Sequence, residues 1–165
     1  MTSTRVAGPS PKSRSNASDT AARAWECAIR LLTAHDRSEH ELRSRLAAQG
    51  ISASAIHATI RRLHRLHYLD DRRFARGTAE SAARRGQGSE RVRAQLVAKG
   101  VAETLIDEAL QGAFADETQL ARQALARRYP TAPTRPAEQA KAARYLLRQG
   151  FPEAVVRSVL GEEVC

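Results

Sequence analysis

Gly50, Gly100 and Gly150 stand fifty residues apart in a chain of 165 residues. Each is preceded four positions earlier by a leucine (Leu46, Leu96, Leu146) and followed at once by an apolar residue (Ile51, Val101, Phe151). Two further apolar columns keep the period: Ile56, Ile106 and Val156, then Ile60, Leu110 and Leu160. Self-similarity at a period of roughly 20 to 50 residues is the mark of a repeat architecture, in which one small unit is copied and stacked on its neighbours. A unit this short buries too little surface to be secure alone, so the copies are expected to pack on one another.

The spacing inside each unit is helical. Ile56, Ile60 and Leu63 follow the i, i+4, i+7 pattern of one buried helix face, and Trp25, Ile29 and Leu32 do the same upstream. Ser38 with Glu41 three residues on reads as a capping box, Asp70, Ser89 and Asp116 as N-caps, and Pro136 and Pro152 as first-turn prolines. The periodic glycines suit the left-handed position that closes a helix. No segment alternates as a strand would. Helices are expected at 21–34, 38–49 and 53–67, at 71–84, 89–99 and 102–115, and at 117–129, 136–149 and 152–162.

The predicted fold is therefore all-α: three tandem three-helix, helix-turn-helix-like repeats of about fifty residues in an elongated, curved array. Residues 1–20, rich in Ser and Pro without apolar periodicity, read as a disordered basic tail; the repeats take 21–69, 70–115 and 116–165. The break from Pro130 to Pro136 is expected to loosen the third repeat from the others. Trp25, Ile29 and Leu32 are matched fifty residues later by Ala75, Ala79 and Ala82, a small face that permits close helix approach, with Phe74 filling volume.

Charge bears on partners. Lys and Arg number 27 against 18 acids, for a net charge of +9, and +4 of that lies in 21–69. Nearly all the bases are arginine, whose planar fork suits phosphate and carboxylate. Such a chain meets nucleic acid or an acidic protein surface. No apolar run is long enough for a membrane span and no secretory stretch opens the chain, so a cytoplasmic protein is expected. Cys27 and Cys165 suggest neither a zinc site nor a disulfide framework.

The third helix of the first repeat carries His57, Arg61, His64 and Arg65 as a basic stripe beside its apolar seam. The matching positions of the second repeat are Asp107, Gln111, Phe114 and Ala115, so the fold does not demand this charge. The stripe reads either as a contact for phosphates or an acidic partner, or as a solvated face. The second and third helices of each repeat read either as a plain helical hairpin or as a DNA-binding helix-turn-helix. His64 and His67 lack companions at metal-ligand spacing, and His67 continues the apolar seam; no metal and no cofactor is expected. The run Arg85–Ser89 is a turn, because no strand precedes it and no Gly-Lys-Ser/Thr follows. Adjacent Asp70 and Asp71 point about 100° apart on a helix and make a poor acid/base pair. No nucleophile constellation emerges, so no enzymatic activity is expected.

Several segments resemble a known family. They are Arg37-Ser38-Glu39-His40-Glu41-Leu42-Arg43-Ser44-Arg45-Leu46, Tyr68-Leu69-Asp70-Asp71-Arg72-Arg73-Phe74-Ala75, Gly88-Ser89-Glu90-Arg91-Val92 through Lys99-Gly100-Val101, and Arg148-Gln149-Gly150-Phe151. Their order and spacing over about 24–160 are similar to those of RecX, a bacterial family of regulators of the RecA recombinase. The resemblance implies a non-enzymatic protein that binds RecA and the groove of the RecA–DNA filament. It implies restraint of strand exchange, ATP hydrolysis and co-protease activity, in DNA repair and the SOS response, with DNA contact besides. The expected partners are RecA, its DNA filament and DNA bound without sequence preference, engaged by a monomer. Expected contact residues are His57, Arg61, His64 and Arg65, with Arg84, Arg85, Arg91 and Arg93. The alternative is a transcriptional repressor using one helix-turn-helix on a preferred duplex site.

Overall fold

Helix starts and stops follow from local chemistry. The computed structural model describes residues 11–161, with side chains from residue 19 onward. Within them lie α1 (Pro11–Ala34), α2 (Glu39–Ala48), α3 (Ala53–Arg65), α4 (Asp71–Arg84), α5 (Ser89–Ala98), α6 (Glu103–Ala113), α7 (Glu117–Arg128), α8 (Pro136–Gln149) and α9 (Glu153–Leu160). None of the described residues is in a strand. The result is an all-α fold of tandem three-helix segments.

The capping box at α2 is complete: the Glu41 N–H donates to Ser38 Oγ at 3.2 Å, and the Ser38 N–H donates to the Glu41 carboxylate at 3.4 Å. Asp116 caps α7 by accepting from the Gln119 N–H at 2.9 Å. Pro136 occupies the first turn of α8, while Pro152 stands one place earlier than expected, at the N-cap of α9. Gly50, Gly100 and Gly150 have φ of 74°, 69° and 88° and let each second helix turn back on itself. The backbone N–H of the next residue, Ile51, Val101 or Phe151, then returns to Leu46, Leu96 or Leu146. The leucine column, the glycine column and the apolar column just after it are thus one closing turn, built three times, and the two later apolar columns lie on the helix that follows it.

Four expectations need correction. First, α1 begins at Pro11, so 11–20 is helix and not disordered tail; residues 1–10 lie outside the described residues. Proline is compatible with a first turn, and a helix already anchored by packing extends easily, because each added residue gains a hydrogen bond. Second, the inward face of α1 is Ala24, Cys27 and Ala28, with Trp25, Ile29 and Leu32 only partly buried beside it. Ala24 and Ala28 precede Ala75 and Ala79 by 51 residues, whereas Leu42 and Leu46 precede Val92 and Leu96 by 50. The first helix is therefore out of step with the period by one residue. Third, His67 does not continue the seam: α3 has ended, and His67 is exposed at φ 56° in the left-handed place that glycine takes elsewhere. Fourth, Ser89 is not an N-cap; Gly88 holds that position and Ser89 is the first residue of α5.

Each segment has its own core. In the first, Leu42 and Leu46 of α2 and Ile56, Ile60 and Leu63 of α3 close on Ala24 and Ala28. In the second, Val92, Leu96 and Ile106 close on Ala75, Ala79 and Ala82, and Phe74 packs against the edge of that cluster. In the third, Leu146, Phe151 and Val156 close on Ala121 and Ala124. Fully burying one such aliphatic side chain is worth about 1.5–3 kcal/mol.

The chain divides into two compact units, one ending at Asp70 and the other starting at Asp71. The second unit holds two three-helix segments, and these are fastened together. Leu120 of α7 packs against both of their cores. The Gly88 N–H donates to the Gln149 carbonyl at 2.9 Å and the Glu90 N–H to the Gly150 carbonyl at 3.0 Å. The Glu117 carboxylate accepts from the Ser89 N–H at 2.7 Å and from its hydroxyl at 2.8 Å. The 130–136 connection therefore does not loosen the third segment from the second, because backbone hydrogen bonds elsewhere hold them.

A candidate polyanion-binding face on the first segment

The apolar seam of α3 fixes which of its residues meet solvent. Ile56, Thr59, Ile60 and Leu63 are buried, so His57, Arg61, Arg62, His64 and Arg65 are exposed. At 100° per residue, Arg61 and Arg65 point away from the core, with His57 and His64 towards one flank and Arg62 towards the other. The contacts agree with this geometry. Arg62 lies over the Trp25 ring of α1, its guanidinium carbon 3.9 Å from the ring centroid, and Trp25 meets Tyr68 edge-on at 6.4 Å. On the other flank, His64 Nε2 is 2.5 Å from the Glu39 carboxylate of α2.

Glu39 also accepts from Arg43, with Nε and Nη2 at 2.8 and 2.6 Å from one oxygen. Partial burial pushes the Glu39 carboxyl up, but the hydrogen bonds from His64 and Arg43 outweigh it and hold the group below its ordinary value. Among the described residues, no hydrogen bond or ion pair engages the side chains of His57, Arg61 or Arg65. Arg61 and Arg65 thus present two guanidinium groups to solvent, with the His57 imidazole exposed on the same helix.

The second unit treats the same helical positions differently. Arg93 stands fifty residues after Arg43, but acids of α6 hold it: Asp107 at 2.6 Å, and Glu103. Hydrogen bonding to Asp107, with the two negative charges, raises the Arg93 pKa despite slight desolvation. The first-segment counterparts of Glu103 and Asp107 are Ala53 and His57. Arg72 pairs with Glu108 at 3.3 Å, so the acidic stretch of α6 is largely neutralised within the unit.

The eight expected contact residues therefore fall into different settings. His57, Arg61, His64 and Arg65 do share α3, with His64 claimed by Glu39. Arg84, Arg85, Arg91 and Arg93 belong to the second unit and do not form one stripe. Arg85 donates to Ser81 Oγ at 2.6 Å, and Arg127 donates to the Arg84 carbonyl at 3.0 Å. Arg91 donates to the Arg148 carbonyl at 3.2 Å, and its Cβ abuts Gly150. Arg91 and Arg93 thus have structural partners. Sequence reasoning missed Arg43, Arg62 and Glu39. Their only signal was position: Glu39 and Arg43 are i, i+4 on α2, and the fold alone brings α2 to His64. A shallow cleft lined by Thr20, Ala21, Gly50, Ser52, Ser54, Ala55 and Ala58 offers no titratable side chain.

These features define a class: tandem three-helix modules carrying charged outer faces. The chain belongs to the RecX family. Family models described as the first, second and third three-helix domains of RecX match residues 24–63, 70–110 and 115–160. Regulatory protein RecX of Chromohalobacter salexigens is 40% identical over 133 residues, covering 81% of this chain and 88% of the relative. The protein of the same name from Chlorobaculum tepidum is 36% identical over 146 residues, covering 85% and 90%. The crystal structure of RecX from Lactobacillus salivarius matches at a TM-score of 0.71 with 21% identity, covering 88% of this chain and 97% of that one. A second crystal structure, of a regulatory protein RecX, matches at 0.72 with 22% identity, covering 94% and 80%. No helix among the described residues is long and apolar enough to cross a membrane.

Proposed function

We propose that this protein is a non-enzymatic regulator that binds the RecA recombinase and its DNA filament and mainly inhibits strand exchange, ATP hydrolysis and co-protease activity. On this reading it works in the cytoplasm as a monomer, in DNA repair and the SOS response. The observation that supports it best is the exposed α3 face, where Arg61 and Arg65 have no acidic partner among the described residues and where the matching positions of the second segment are the uncharged Gln111 and Ala115. Free arginines at a helix surface suit phosphate oxygens or carboxylates of an acidic partner.

The mechanism follows from linkage. A ligand shifts a filament between growth and disassembly only through unequal affinity for its growing, interior and dissociated states. Two anchored segments in the second unit and a cationic face on the first provide separate elements for contacting neighbouring protomers and DNA. Arg84 and Arg85, exposed at the end of α4, are secondary contact residues on this proposal.

The test is inhibition of RecA ATP hydrolysis on single-stranded DNA. Arg61→Glu combined with Arg65→Glu should weaken inhibition by tenfold or more while circular dichroism keeps the helical signal. Full inhibition by that variant would remove α3 from the contact. A binding selection on random duplex DNA separates the repressor alternative, since a strongly preferred site would favour it.

A further inference from the structure

The Glu39 carboxylate is bound as a phosphate would be. One oxygen takes two N–H groups of the Arg43 fork, at 2.8 and 2.6 Å, and the other takes Nε2 of His64 from a different helix at 2.5 Å. The three side chains are neither deeply buried nor fully exposed, with 30% of Glu39, 41% of Arg43 and 43% of His64 open to solvent. A ligand from solvent can therefore reach the two donors that Glu39 occupies. They border the face on which Arg61 and Arg65 stand.

Comparison between segments shows that this arrangement is not imposed by the repeat. The position fifty residues after Glu39 is Ser89, and the arginine there, Arg93, is held by α6 acids. In the first segment the α6 acids have become Ala53 and His57, and among the described residues the carboxylate that faces Arg43 and His64 comes from α2. Arginine forks and imidazole N–H groups that bind a carboxylate in this geometry bind a phosphate equally well.

We infer that Glu39 is a built-in competitor for a polyanion on the α3 face, holding Arg43 and His64 in reserve and lowering the affinity of that face for phosphate. This inference rests on the α3 reading proposed above and concerns its regulation. When a polyphosphate backbone arrives, its oxygens must displace the carboxylate to reach those two donors. The affinity is thereby set low enough for the ligand to be released.

The test measures binding of the full chain to a fluorescently labelled single-stranded oligodeoxynucleotide across a salt series. Glu39→Gln keeps the shape and removes the charge. It should tighten binding about fivefold at low salt and steepen the logarithmic salt dependence by roughly 0.7 for each additional phosphate bound. Glu26→Gln removes an exposed acid of α1 from the same segment without releasing a paired cation, and should change affinity less than twofold. Adding Arg43→Gln to Glu39→Gln should cancel much of the tightening. Melting followed by circular dichroism confirms that each variant is folded. Unchanged or weaker binding by Glu39→Gln overturns the competitor role, as does equal tightening by Glu26→Gln. If Glu39→Gln fails while the Arg61 and Arg65 reversals abolish binding, the α3 reading stands alone. If neither changes binding, both are overturned.

Discussion

A Cβ placed on Gly88 would lie 2.2 Å from the Gly150 carbonyl oxygen and 2.3 Å from the Phe151 nitrogen. The obstacle is backbone, held by the hydrogen bonds that join α5 to the end of α8, so it has nowhere to move. Gly88→Ala should therefore lower stability by about 3 kcal/mol, the upper range for overpacking. Gly77 of α4 has open space around its missing Cβ, and Gly77→Ala should raise stability by about 0.5–1 kcal/mol by restricting the unfolded chain. Chemical denaturation of both variants checks the contrast, and similar shifts would contradict the close approach.

His67 closes α3 at φ 56°, with its N–H on the His64 carbonyl at 3.0 Å and the next N–H returning to Leu63 at 3.0 Å. A side chain with a Cβ is strained in that region. His67→Gly should raise the stability of the first unit by about 1 kcal/mol. A lower melting temperature would show that the imidazole supplies more than the turn loses.

Two carboxyls make opposite contributions to pH dependence. Glu117 is raised above 4.5, chiefly by burial, and with help from Glu90, despite the bonds from Ser89. The folded chain therefore binds that proton more tightly than the unfolded chain. Its contribution to stability is full below the unfolded pKa and is lost as pH rises through the folded one. Glu39 is lowered, so its contribution is present above the unfolded pKa and is lost as pH falls through the folded one. On acidification from neutrality towards about 4, wild type should gain relative to Glu117→Gln and lose relative to Glu39→Gln. Denaturation midpoints over that range test the signs, and parallel curves for all three proteins would contradict them.

If Arg61 and Arg65 touch phosphates, oligonucleotide binding should weaken steeply with salt. Replacing both with alanine should make the logarithmic slope shallower by roughly 1.4, the value for two lost phosphates on a single strand. An unaltered slope, even with weaker binding, would assign the two residues a role other than phosphate contact.

Much of the fold was legible because helix geometry is local. Ser38 with Glu41, Asp116 before α7 and the three closing glycines each act within a few residues, and the i, i+4, i+7 seam of α3 marks its buried face. Local rules failed where two sound patterns competed. Trp25, Ile29 and Leu32 have helical spacing and size, but the adjacent stripe of Ala24, Cys27 and Ala28 lets the helices approach closely, and that stripe turns inward. Ser89 has the chemistry of an N-cap, but the approach of Gly150 places Gly88 there and turns Ser89 towards Glu117. The basic stripe was visible as a stripe. That His64 is occupied and Arg61 is not could not be read from it, because Glu39 is 25 residues away along the chain.

The amino-acid order alone determined an all-α chain with one helical turn-and-close motif copied three times, since hydrogen bonding and side-chain period within a helix involve near neighbours. The tertiary structure decided which cations are spent on internal partners and which face solvent. It also decided that the second and third segments are fastened through Gly88, Gly150, Ser89 and Glu117. Those outcomes depend on distances between residues remote in the chain, and such distances exist only once the helices have packed.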